Sequence, residues 1–279
     1  MEWRVTDTDG PRTAMVTGAS SGIGVSIATE LGRLGWRVAI GARRSDRLAD
    51  TATAIVEAGG EAFAHQLDVS DAAAIEEFFE ATTRALGPVD VLVNNAGVSY
   101  PGWLTDIAVD DIEHEVATNL VGPILLSRLA IASMAGRGAR GDLVFITSDA
   151  SRHPRPRMAT YTATKAGLEA FAHSLAMELE GTGIRATTVR VGPTLSEFGF
   201  GWPMESLEDL LGYWPRFGLQ RHGGVLEPEA IARAVIAAVT APPGVLLDTV
   251  EVQPEAPIGD LGPATPLARP DAGGAPEGR

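Results

Sequence analysis

The sequence predicts an α/β protein built on a doubly wound parallel sheet, and three observations carry that expectation. Short apolar runs alternate with helical patterns through most of the chain, which is the signature of βαβ units. A glycine-rich turn separates the first strand from the first helix, at the place where such sheets open their ligand crevice. The chain has 279 residues, 45% of them hydrophobic, enough for one domain with both sheet faces covered.

In chain order, residues 1–10 read as a polar arm and 11–253 as the single domain. The first strand is expected over 12–17 and the first helix over 22–34, with Ile23, Ile27 and Leu31 on its apolar face. A second strand (36–41) and helix (46–58) follow. Three more strands fall at 62–67, 89–94 and 142–148, each preceded by a helical stretch. A long helix covers 160–180 and a strand 184–191. Residues 192–224 are irregular and rich in Gly, Pro and aromatics, with 196–224 read as a lid. A last helix (229–240) and strand (245–252) close the domain. Right-handed crossovers then give a three-layer, Rossmann-like αβα arrangement. From residue 254 onward prolines and glycines recur without period, which predicts a disordered tail.

A net charge of -14 argues against nucleic acid and anionic membrane partners, since both select basic faces. There are no cysteines, so disulfides, thiolate metal sites and cysteine nucleophiles are excluded. Met1-Glu2-Trp3-Arg4 begins no apolar leader, and no uncharged apolar run approaches membrane-span length, so a cytoplasmic protein is expected. His65, His114, His153, His173 and His222 show no metal-ligand spacing, and no metal is expected.

The turn reads Thr17-Gly18-Ala19-Ser20-Ser21-Gly22-Ile23-Gly24. Glycines there allow a tight bend and close approach of backbone N–H groups to a pyrophosphate, aided by the helix N-terminus. The same residues satisfy G-x-S-x-G, the nucleophile elbow of a serine hydrolase with Ser20 as nucleophile. Only one strand precedes Ser20, whereas the elbow draws half of its oxyanion hole from an earlier strand and loop.

A second constellation discriminates between these readings. Tyr161 and Lys165 stand four residues apart on one helix face. An ammonium beside a phenol favours the phenolate and lowers its pKa toward that of a useful acid/base. Ser148 lies thirteen positions earlier, at a strand end facing the crevice. With these pieces, the chain resembles the short-chain dehydrogenase/reductase family in its single-domain branch. The matching residues are Thr17-Gly18-x-x-x-Gly22-Ile23-Gly24, Leu67-Asp68-Val69, Asn94-Asn95-Ala96-Gly97, Asn119, Ser148 and Tyr161-x-x-x-Lys165.

The resemblance implies catalytic roles for Ser148 (orienting the substrate oxygen), Tyr161 (passing the proton), Lys165 (binding ribose and lowering the tyrosine pKa) and Asn119 (anchoring a proton relay). It implies cofactor contacts from Gly18, Ser20, Ser21, Gly22, Ile23, Gly24, Asp68, Val69, Asn95, Ala96, Gly97, Tyr161 and Lys165. After the sixth strand the chain reads Val191-Gly192-Pro193-Thr194-Leu195-Ser196, where the family usually has Pro-Gly. Gly192, Thr194 and Ser196 are carried over, Ser196 replacing a threonine hydroxyl. At the end of the second strand, Ala42-Arg43-Arg44 replaces the acidic residue that an NAD site requires. Arg43 is expected to meet a 2′-phosphate, Arg44 to be solvated, and the cofactor to be NADP (NADPH).

The implied reaction is hydride transfer between a ketone or aldehyde and an alcohol; an NADP-binding sensor without turnover is the other reading. The lid carries Phe198, Phe200, Trp202, Met204, Leu207, Leu210, Leu211, Tyr213, Trp214 and Phe217, which favours an apolar small-molecule substrate. Arg152, Arg155 and Arg157 could instead clamp an anion, or be solvated or at a subunit contact. Family resemblance further implies a homotetramer or homodimer, paired through helices beginning near Asp106 and Thr160.

Overall fold

The computed structural model describes residues 10–199, 202, 210, 212–219 and 222–256. Most of the polar arm, most of the Pro/Gly-rich tail and the lid residues Phe200, Met204, Leu207 and Leu211 lie outside them.

Seven parallel strands form one sheet in the order β3-β2-β1-β4-β5-β6-β7. The strands are β1 (Thr13–Thr17), β2 (Arg37–Ala42), β3 (Glu61–Gln66), β4 (Val91–Asn94), β5 (Gly141–Ser148), β6 (Ile184–Val191) and β7 (Thr249–Val252). Strand order reverses between β1 and β4, and that switch point is where an open α/β sheet splays its connections apart. The central strands β1, β4 and β5 are buried at every position, which is why they read as unbroken apolar runs. Alternate residues serve opposite cores: Ala14, Val16, Val144 and Ile146 face one layer, Met15, Leu143 and Phe145 the other.

Helices α1 (Gly22–Arg33), α2 (Ser45–Glu57) and α7 (Pro228–Val239) cover the first face. Helices α3 (Ala72–Leu86), α5 (Gly122–Arg137) and α6 (Ala159–Glu178) cover the second. Asp71 caps α3, its carboxylate accepting from the Ala73 and Ala74 amides. Helix α4 (Val109–Val116) runs through a π-helical turn (Ala117–Val121) directly into α5. Pro123 supplies the cause, having no N–H for the Asn119 carbonyl four residues earlier. The combined run Val109–Arg137 is long and apolar enough to cross a membrane by length and composition, although Asp110, Asp111, Glu113, Glu115 and Arg128 place charges along it. In this fold Leu126, Ala130 and Met134 on the run are buried beneath the sheet.

The last strand is shorter than expected. Residues 245–248 stay irregular after the Pro242-Pro243-Gly244 turn, with Val245 and Leu246 exposed. At the sheet edge, apolar composition alone does not hold a strand in place.

Candidate active site

The C-terminal ends of β1, β4, β5 and β6 open into a cleft of about 630 Å³. At its floor is the glycine turn. Gly18 has φ +67°, and a Cβ there would lie 2.8 Å from Ala96 Cα. A Cβ on Gly24 would collide with the Gly18 carbonyl and the Asn95 amide. Thr17 and Asn95 pin this turn: Asn95 Nδ2 donates to the carbonyls of Thr17 (2.9 Å) and Gly18 (3.2 Å), while Thr17 Oγ1 accepts from the Asn95 and Ala96 amides (both 3.1 Å). The Asn95 side chain is thereby occupied as a brace, while the residue still lines the cleft. Ser21 occupies the N-cap of α1 without a side-chain capping bond, so the first-turn N–H groups keep their anion-binding capacity. With Ser20, Ser21, Gly22 and Ile23 also lining the cleft, the turn fits a pyrophosphate.

The hydrolase reading finds no support here. Ser20 Oγ accepts two hydrogen bonds from Arg44 (3.0 and 3.2 Å), and among the described residues no histidine bonds to it.

That contact also extends the expectation for Arg44. While staying exposed at the start of α2, its guanidinium also spans Ser20, Ser21 (2.8 Å) and the Glu197 carboxylate (2.7 Å). Arg43 lines the cleft beside Ala42, Asp68 and Val69, with its Nη1 3.5 Å from His114 Nε2. His114 is in turn bonded to the Tyr100 hydroxyl at 2.9 Å. Burial raises the Asp68 carboxyl, but two hydrogen bonds from Ser70 and the charges of Arg43 and His114 outweigh it and hold the group below its ordinary pKa.

At the other end stand the four residues expected to carry chemistry. Ser148 ends β5; its Oγ accepts from the Ala150 amide (3.2 Å) and donates to Asp149 Oδ1 (3.3 Å), and it faces the Tyr161 phenol, whose pKa it lowers. Lys165, the chain's single lysine, donates to the Ile146 carbonyl at 3.0 Å. Asn119, in the π turn, exchanges two 2.8 Å hydrogen bonds with the Val98 backbone and donates to Thr164 Oγ1 at 3.2 Å. A Cβ at Gly97 would sit 3.4 Å from both Asn119 Oδ1 and Lys165 Nζ, so Gly97 is the common wall of this corner.

Electrostatics here differ from the expectation in one respect. Burial pushes the Tyr161 phenol up to about 12; Ser148 and Arg155 pull it down, while Asp149 and Glu115 push it further up. Lys165 Nζ, held by the Ile146 carbonyl, lies 5.8 Å from the ring centroid. Burial in turn lowers Lys165 to about 8, opposed by Glu115.

Beyond Gly192, Thr194 bridges to Leu226 and its hydroxyl donates to the Gly192 carbonyl. Ser196 Oγ accepts from the Phe198 amide at 3.3 Å; Gly192, Thr194 and Ser196 all line the cleft. Phe198 lies against Tyr161 and Trp202, and Trp202 Nε1 donates to the Ser99 carbonyl at 2.9 Å. Met158, Phe198, Trp202 and Trp214 line the chemical end. Tyr213 and Phe217 instead stack on each other, and Phe217 is exposed. Arg155 is buried, paired with Asp149 at 2.5 Å and stacked over Trp214, so it is not a solvated residue; it lines the cleft, and its Nη1 has no hydrogen-bond partner. Arg157 stacks over Trp103. Sequence reasoning missed Thr17 as a brace and a buried acid, Glu115; only Glu115 left a signal, a carboxylate one helical turn before Asn119. Among the described residues no group of three or more His, Asp or Glu side chains could hold a metal.

Residues 12–201 match the family model of short chain dehydrogenases. A glycine betaine reductase of Emericella nidulans is 34% identical over 244 residues, 87% of this chain, although the chain spans only 19% of that protein. An alcohol dehydrogenase of the archaeon Thermococcus sibiricus, complexed with 5-hydroxy-NADP, superposes with a TM-score of 0.74 at 31% identity, covering 87% of this chain and 96% of the other. An actinorhodin polyketide ketoreductase with NADPH gives 0.75 at 31% identity, covering 89% and 98%.

Proposed function

Since the chain belongs to the short-chain dehydrogenase family, we propose that it is an NADPH-dependent oxidoreductase interconverting a ketone or aldehyde with an alcohol. The observation that carries this reading is the buried group of Ser148, Tyr161, Lys165 and Asn119 at the inner end of a cleft floored by an uncapped helix N-terminus. NADPH, when bound, supplies the hydride. The nicotinamide end would lie against Gly192, Thr194 and Ser196, the pyrophosphate against 18–24, and the adenosine phosphate against Arg43 and Arg44.

The chain's own residues do the rest. Tyr161 is held as a neutral phenol, so it is poised to donate its Oη proton to a carbonyl oxygen as negative charge develops there. Ser148, facing that hydroxyl, orients the same oxygen. Lys165 keeps a positive charge behind the phenolate that results, and Asn119 fixes the helix turn carrying that corner. Phe198, Trp202 and Trp214 exclude water and favour an apolar substrate. The cytoplasm as compartment, and a homodimer or homotetramer paired through the helices starting at Val109 and Ala159, belong to the same reading.

A panel of ketones and alcohols followed by NADPH absorbance tests it. Tyr161→Phe is expected to retain cofactor binding and melting behaviour yet lose about 10²–10⁴-fold in kcat. Lys165→Ala is expected to lose both NADPH affinity and rate. A Tyr161→Phe enzyme with near-native turnover would falsify the assignment.

A further inference from the structure

Glu115 is 1% exposed on α4, and neither carboxylate oxygen has a hydrogen-bond partner. Ser99 and the Tyr100 amide approach it from the loop after β4, but no contact closes to hydrogen-bond geometry, and Ser99 Oγ is itself without a partner. Burying a carboxyl so incompletely satisfied carries a substantial cost, and no packing requirement in α4 calls for an acid. Its surroundings indicate what does. Lys165 and Tyr161 face it electrostatically from α6, and Asp111 does so from its own helix. One helical turn further on, Asn119 shares the Gly97 wall with Lys165 Nζ.

We propose that Glu115 is a positioning residue of the reductase site: its carboxylate is the counter-charge that keeps the chain's single ammonium, Lys165, protonated behind Tyr161. This rests on the proposed roles of Tyr161 and Lys165. Lys165 is buried, and its Nζ reaches only a neutral carbonyl. Burial drives it toward the neutral amine, and Glu115 is the one charge among the described residues that opposes this. Burial raises Glu115 itself to about 7, with Lys165 pulling it down and Asp111 pushing it up. The two groups are therefore both charged between about pH 7 and pH 8. Removing the carboxylate leaves burial unopposed, so the lysine loses its proton at lower pH.

Because Lys165 is the only lysine, lysine-selective 13C labelling yields a single side-chain signal whose Cε shift reports its charge without turnover. In the wild type the expected midpoint is near pH 8, with a second, smaller inflection near pH 7 as Glu115 ionises. In Glu115→Gln the second inflection vanishes and the midpoint falls by about one pH unit; Glu115→Asp keeps both features. The alkaline limb of kcat/KM for carbonyl reduction moves with the midpoint, while the rate at pH 6 stays within about twofold of wild type because Glu115 is already protonated there. An unchanged midpoint in Glu115→Gln overturns the proposal even if the enzyme slows, and so does a wild-type titration lacking the inflection, which needs no variant. Should the lysine titrate as expected while Tyr161→Phe and Lys165→Ala retain full turnover, the ion pair stands and the catalytic reading falls.

Discussion

Cofactor choice is decided at single residues. Ala42 is small and buried at the end of β2, and the two arginines after it border the cleft. A charged hydrogen bond contributes roughly 1.5–3 kcal/mol, or about 10- to 150-fold in affinity. NADPH should accordingly exceed NADH by at least about tenfold in kcat/KM at low salt, the gap narrowing as ionic strength rises. Arg43→Leu and Arg44→Leu should each lose part of that preference, and Ala42→Asp should reverse it; equal use of both cofactors by the wild type refutes the assignment. The Arg44 contribution was hidden at the level of sequence. An arginine at a helix start reads as solvated, and only the return of the glycine turn and of Glu197 to the same spot gives its fork something to bind.

Among the elements, the segment after β6 behaves as two parts. Its first part, Ser196 to Trp202, is tied to both walls of the cleft, by Glu197 to Arg44 and Arg47 and by Trp202 to the Ser99 carbonyl. Its later aromatics Tyr213 and Phe217 pack with each other outside the cleft. Trp202→Ala is therefore expected to raise the KM for an apolar ketone by roughly tenfold, the order of a lost apolar contact, without a matching fall in melting temperature. Phe217→Ala should leave kinetics within about twofold, as an exposed side chain does. Equal kinetic effects of the two, measured side by side, would show that the lid closes further along. The π turn is the other decisive element. Pro123 releases the Asn119 carbonyl, and the widened turn holds the Asn119 amide against the Val98 backbone.

On the scale of the whole molecule, the site depends on strands held in register far from it. Asp142, at the opposite end of β5, pairs with Arg12 at 2.6 Å and Arg185 at 2.7 Å, and is itself buried. Asp142→Ala strands two partly buried cations and should cost about 3 kcal/mol in urea unfolding, with kcat of the folded fraction unchanged; a fall in kcat without loss of stability would place Asp142 in the chemistry instead. The sequence by itself determined the layer order, the glycine turn and the Ser148, Tyr161, Lys165 and Asn119 set. The layer order, the turn and the Tyr161–Lys165 pair rest on short-range regularities, strand and helix periods and a four-residue spacing, whereas Asn119 joined the set only through the resemblance to a family. The tertiary structure alone decided that Asn95 braces the turn, that Arg155 pairs with Asp149 under Trp214, and that Glu115 is buried with its charge acting on Lys165. It also decided that Tyr161 is held up near 12 instead of lowered. The reason is physical: burial and charge pairing depend on which distant segments exclude water from a group, and sequence spacing carries no information about that exclusion.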